Sequence, residues 1–173
     1  MNRSVPQTRG QSFVPVKEAD MKLSKTATLA ALAVAYLSTR RGDGHIQARH
    51  VADYLHIPTD SALKVLQALA RRGVINSHLG RSGGYYLESE PHDVTLLHIV
   101  EAVEGPIESE LPIESDGNGL SNPIDQLRKA CNRVAHSMRH ELDRTTISEI
   151  AEGMNGNTTP TVLATIEEGG IAH

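Results

Sequence analysis

A mainly α-helical chain with one small β-hairpin is the architecture to expect from this 173-residue sequence. Three observations lead there. Apolar residues recur at helical spacing through much of residues 24–72, and a glycine-rich stretch at 74–88, VINSHLGRSGGYYLE, lies between two short β-type runs. Residues 124–142 then carry a near-heptad apolar seam. Hydrophobic residues make up 39% of the chain and aromatics 3%, with no Trp, so the core must be built from Leu, Ala, Val and Ile. The length suits one domain with an added arm.

Residues 1–20 are polar and lack periodicity, with Pro6 and Pro15, and read as a disordered arm or as an extension ahead of Met21. The first helix is expected over 24–40, with Leu29, Leu32, Ala33, Tyr36 and Leu37 facing inward. Started at Met21, this stretch mimics a secretory signal: two lysines, an apolar run and Ala-Val-Ala. Its helical spacing favours a core helix instead, and the apolar run from Ala27 to Leu37 is too short to span a bilayer. RGDGH reads as a turn.

A second helix is expected over 47–56, with Ala48, Val51, Ala52 and Leu55 inward. IPTD follows, offering Thr59 or Asp60 as N-cap of a third helix that runs to Arg72, where Gly73 is a natural C′ residue. The third helix has a core side of Ala62, Leu63, Val65, Leu66 and Leu69 and a polar stripe of Asp60, Lys64, Gln67 and Arg71. Two helices joined by a short turn, with a hairpin directly behind them, make a winged helix-turn-helix over residues 21–105. Its last helix is expected from Asp93 or Thr95, carrying Leu96, Ile99, Val100 and Val103 on one face and stopping at Gly105-Pro106.

Residues 106–122 are acidic and rich in turn formers, which predicts a loop. Asn122-Pro123 is a helix-start signal. The long helix that follows places Ile124, Leu127, Cys131, Val134, Met138 and Leu142 along one seam, the pattern of a dimerisation helix. Thr146 to Glu149 forms a capping-box pattern for a short last helix, closing a 123–152 unit before a flexible tail at 153–173.

Net charge is −4, yet residues 22–88 carry nine Lys/Arg against four acids, a local +5 that leaves −9 for the remainder. This asymmetry suggests that one part meets a polyanion, against the bland alternative of scattered solvated charge. Gly80, Gly83 and Gly84 permit a tight, bare hairpin tip, with Arg81 and Ser82 upon it. An arginine on a thin projection can enter a minor groove or clamp a phosphate. On the third helix, Lys64 could reach guanine and Gln67 adenine in a major groove, while Lys25, Arg49, Arg71 and Arg72 suit phosphates. The alternative is an ordinary hairpin beside a solvated helix face.

No nucleophile–base pair, phosphate loop or metal set appears, so the sequence does not read as an enzyme. Gly80-x-x-Gly83-Gly84 precedes a strand rather than a helix and is too short for a phosphate loop. The single cysteine, Cys131, excludes an intramolecular disulfide and any multi-cysteine metal site, and points to the cytoplasm, with no membrane partner. Its seam position favours a small buried hydrophobe over a redox switch. His136 and His140 share one helix face, but without a third ligand they read as solvated or pH-responsive surface.

Three segments, MKLSKTATLAALAVAYLS, ARHVADYLHIPTDSALKVLQALARRGVINSHLGRSGGYYLESEP and VTLLHIVEAVEG, resemble the IscR/NsrR/CymR-type winged-helix transcription regulators, the Rrf family. The likeness is close over about half the chain and looser over the long helix. It implies a homodimer presenting two wings to a pseudo-palindromic operator on double-stranded DNA. Carried over, it implies DNA contacts at Arg81, Ser82 and Gly83 in the wing, at Thr59, Ser61 and Lys64 on the recognition helix, and at Arg49 and Lys25 along the backbone. Ala62 stands where many members carry a bulky aromatic. Many relatives also hold an iron–sulfur cluster on three cysteines in the loop after VEG. Here that loop has none, and its Glu108, Glu110, Glu114 and Asp116 are hard oxygen donors. The expectation is a member with no cluster and no cofactor. It would be a repressor, constitutive or answering an unidentified small-molecule or protein effector. The alternative is a regulator that works mainly through a partner protein, with DNA binding secondary.

Overall fold

The computed structural model describes residues 23–80, 82–108 and 123–154. The expected arm at 1–20, most of the acidic loop and the tail from 155 lie outside the described residues, as do Arg81 and Asn122. The chain runs α1 (Lys25–Thr39), α2 (Ala48–Leu55), α3 (Thr59–Arg71), β1 (Asn76–His78), β2 (Gly84–Tyr86), α4 (Leu96–Glu104), α5 (Pro123–Arg144) and α6 (Ile147–Met154). It is mostly helical with a two-stranded antiparallel sheet, as the spacing predicts.

Helix α1 is the hub. Ser24 caps it, its hydroxyl accepting from the Ala27 amide at 3.0 Å. The sequence suggested one inward face, but nine of its residues are buried, from Ala27 to Leu37. The reason is that α4 and α6 pack on it as well as α2, α3 and β2. A helix surrounded on most sides needs small apolar residues all round, and AALAVA supplies them. Ile147 of α6 is fully buried in the same core, with Val51, Leu55, Leu66, Leu69 and Ile99.

The turn between α2 and α3 rests on His56, the one described non-glycine residue with positive φ, at +52°. Its amide donates to Asp53 O at 3.3 Å and that of Ile57 to Ala52 O at 3.0 Å, which closes α2 in a Schellman pattern. Helix α3 starts one residue earlier than a Thr59 cap would allow and two earlier than an Asp60 cap: Pro58 is the N-cap and no side chain caps. The Pro58 carbonyl instead takes the amides of Ser61 and Ala62, at 2.9 and 3.2 Å. At the far end Gly73, at φ +73°, holds the C′ position as expected, with Val74 N–H bonded to Leu69 O at 3.0 Å.

The strands are shorter than the β-type runs suggested, and pair Asn76 with Tyr86, Ser77 with Tyr85 and His78 with Gly84. A third element joins them: Ile46, directly after the RGDGH turn and given no role by the sequence reading, bridges Tyr85 on its outer edge. Thr95 caps α4 through a capping box closed by His98, whose Nδ1 accepts from the Thr95 amide at 3.2 Å. The predicted Thr146–Glu149 box forms too, its carboxylate accepting from Thr146 N–H at 3.0 Å. Helix α5 leaves the core: only Leu142 on it is buried, against Ala27, Leu97 and Val100.

Candidate nucleic-acid interface

The hairpin stands beside α3 and leaves an open cleft of about 630 Å³ between them. One wall is the outer face of α3, with Leu63, Gln67 and Arg71; the other is the hairpin, with Ser77, His78, Leu79 and glycines 80, 83 and 84. Gln47 and Ala48 close it at the start of α2.

The glycines have separate reasons. Gly80 sits at φ +119°, a conformation that side chains rarely adopt. Gly83 and Gly84 are needed for close approach. A Cβ on Gly83 would run into the His78 carbonyl, and one on Gly84 would lie 2.5 Å from the Ile46 carbonyl oxygen. Glycine at 84 therefore lets Ile46 and Tyr85 exchange both backbone hydrogen bonds, at 2.9 and 2.8 Å. The hairpin is in this way pinned to the segment leading into α2. His45 adds to the pinning, its ring stacked on His78 with centroids 4.7 Å apart and edge-on to Tyr86. Burial at this joint pushes the Tyr85 phenol above its ordinary value.

Of the candidate contact residues, Gln67, Arg71 and Gly83 are brought together in the cleft. Lys64 and Thr59 are exposed on α3, and Ser61 there is half-buried. Arg49 is exposed near the start of α2, Lys25 is exposed at the start of α1, and Ser82 is exposed on the hairpin turn. None of these six lines the cleft. Gly83 is buried, and its N–H already donates to Gly80 O at 3.0 Å, so it belongs to the frame of the hairpin. Arg81 lies outside the described residues.

The cations divide in two. Arg40 lies 3.6 Å from Asp43 and 5.5 Å from the centre of the Tyr36 ring. Arg41 grips Glu90 with two hydrogen bonds of 2.6 and 2.9 Å. That grip raises the Arg41 guanidinium and holds the Glu90 carboxyl below its ordinary value. Lys25, Arg49, Lys64, Arg71 and Arg72 form no salt bridge among the described residues and are exposed or nearly so. These are the charges free to meet phosphates.

Sequence reasoning missed Ile46 and Leu79. Ile46 is a lone apolar residue between polar neighbours, so no periodicity marks it. Leu79 is 91% exposed, and its local spacing does not mark that, since by strand alternation it shares a side with the buried Ile75.

On α5, Leu127 and Val134 are exposed at 52% and 60%, whereas Ile124, Cys131 and Met138 are half-buried and Leu142 is buried in the core of the chain. Arg139 of α5 pairs with Glu101 of α4, whose carboxylate also accepts from the Ile107 amide at 3.2 Å. No group of three or more His, Cys, Asp or Glu is placed to hold a metal among the described residues, and no described helix is long and apolar enough to cross a membrane.

Comparison with known proteins agrees with this geometry. The family model Rrf2, described as an iron-dependent transcriptional regulator, matches residues 23–153. Over 136 residues the chain is 26% identical to the HTH-type transcriptional regulator CymR of Bacillus subtilis, covering 79% of this chain and 94% of that protein. It is 27% identical over 137 residues to the HTH-type transcriptional repressor NsrR of Streptomyces coelicolor, covering 79% and 92%. The solved structure of CymR (YrzC), described as the global cysteine regulator of B. subtilis, aligns with a TM-score of 0.60 at 25% identity, covering 77% of this chain and 98% of that one.

Proposed function

The chain belongs to the Rrf2 family of transcriptional regulators, and from that premise we propose that it is a homodimeric repressor reading a pseudo-palindromic operator. The observation that carries the proposal is the cleft, which sets the polar face of α3 beside a hairpin stripped of side-chain bulk. Helix α3 enters the major groove, with Lys64 and Gln67 toward base edges and Thr59 and Ser61 at its leading end. The hairpin follows the adjacent minor groove, with Ser82 on its turn and Arg81, its neighbour in the sequence, as contacts. Lys25, Arg49 and Arg71 take phosphates, which set affinity and register. The apolar seam of α5, with Leu127 and Val134 exposed, meets its symmetry mate.

The donor set does not fit a cysteine-ligated cluster. The chain carries one cysteine, Cys131 on α5, where the relatives' clusters take three from the loop after VEG. The protein therefore acts as a cluster-free member, one that answers a small molecule or a partner protein or that represses constitutively.

Fluorescence anisotropy tests the reading, with a duplex from upstream of the protein's own gene, a scrambled duplex and a salt series. Wild type should prefer the native duplex and lose affinity steeply with salt. Arg81→Ala should weaken that preference. Binding that ignores sequence would overturn the proposal.

A further inference from the structure

The wing tip carries an apolar side chain that the electrostatic account of DNA binding leaves without a role. We propose that Leu79 is a specificity residue, an apolar wedge that enters the minor groove and selects DNA steps that deform easily. The inference rests on the DNA-reading function proposed above.

Single exposed leucines are ordinary on protein surfaces. The position of this one sets it apart. Leu79 is 91% exposed, well beyond Leu127 and Val134, which belong to the seam of α5. It follows β1 directly and lines the cleft opposite Gln67 and Arg71 of α3. Its neighbour Gly80 adds no side chain, and the space around a Cβ there is open to 4 Å. Beside Leu79 the hairpin is thus free of side-chain bulk at Gly80, which suits a minor groove only about 6 Å wide.

The base of the hairpin is fixed rather than loose. His78, the residue before Leu79, is paired with Gly84 and stacked on His45. Tyr85 is tied to Ile46 on the other edge. Leu79 is therefore presented by a frame that holds its direction. Apolar side chains of this size unstack base steps and kink the duplex when they are pushed in from the minor groove. The deformation is easiest at pyrimidine–purine steps, TA or CA, and harder in stiff A-tracts. Such a wedge reads sequence without a hydrogen bond, so its contribution is indifferent to salt.

The test uses the full chain and a series of end-labelled operator duplexes in which one TA step, or an AA step in its place, is moved through each position. Bending is read by energy transfer between the ends and affinity by anisotropy across a salt series. Wild type should bend the duplex and prefer TA over AA by about tenfold at one position per half-site, the scale of a single mismatched step. Leu79→Ala should lose both the bend and the preference while keeping the salt slope. Leu79→Lys should also lose the preference but steepen the salt slope by about one unit per wing. Circular dichroism guards against loss of fold, which an exposed position makes unexpected. Leu79→Ala that bends and discriminates as wild type does would overturn the inference and leave the DNA-reading function standing. Wild type that binds no duplex would overturn both.

Discussion

Ile46 and Tyr85 face each other across the outer edge of the hairpin and exchange both backbone hydrogen bonds, at 2.9 and 2.8 Å. The two stand 39 positions apart in the sequence, so this pair ties the wing to the helix-turn-helix. It exists because Gly84, next to Tyr85, has no side chain to hold the strands apart.

Gly84→Ala should therefore break the joint. The new methyl would sit 2.5 Å from the Ile46 oxygen and 3.1 Å from the Gln47 nitrogen, both of them backbone atoms that cannot swing aside. The expected cost is about 1–3 kcal/mol, the usual range for forced overpacking. Urea unfolding would measure it. A variant as stable as wild type would show that the Ile46–Tyr85 pair contributes nothing.

His56→Gly should act in the opposite direction. His56 occupies the left-handed region at φ +52° to close α2, at a cost glycine does not bear. Part of the gain is offset by the greater freedom of glycine in the unfolded chain, leaving about 0.5–1 kcal/mol of added stability. Thermal unfolding of the two proteins would decide it, and a lower melting temperature for the glycine variant would refute it.

The Arg41–Glu90 pair predicts a pH dependence. Its hydrogen bonds hold the Glu90 carboxyl below its ordinary value, so the folded state favours the charged form. The resulting stability is present above the unfolded carboxylate value and is lost as pH falls through the lowered folded one. Both side chains are substantially exposed, so the effect is small and screened by salt. Wild type should exceed Glu90→Gln in stability at neutral pH, with the gap closing in acid. Melting temperatures between neutral pH and below the ordinary carboxylate range would follow the gap; one that widens in acid would contradict the pair's role.

Val134→Asp addresses the seam. Val134 is 60% exposed in the single chain, so the substitution should leave the fold intact. If α5 meets a second copy through this face, an unpaired carboxylate there should weaken the dimer by about 100-fold or more. Sedimentation equilibrium would report it. Dimers of undiminished affinity would place the subunit contact elsewhere.

The helices were legible in the residues themselves because their signals are local. Spacing of 3.6, the Thr146–Glu149 box and the glycine at 73 each act within one or two turns of chain. The chemistry of the polar stripe on α3 was readable for the same reason, since Lys64, Gln67 and Arg71 must share a face once the helix forms. Leu142 shows where local reading stops. It follows the seam spacing of Val134 and Met138, yet it is buried against Ala27 and Leu97 because α4 packs over that end of α5.

Composition and periodicity alone established a helical chain with a glycine-rich hairpin behind a helix-turn-helix, and its most basic stretch. Tertiary structure decided which glycines are steric necessities, which cations are already spent on carboxylates, and which apolar side chain stands free at the wing tip. The physical reason is range. Helix spacing and capping are settled between residues a few positions apart, whereas the Ile46–Tyr85 pair, the Arg41–Glu90 grip and the exposure of Leu79 depend on segments that meet only when the chain has closed on itself.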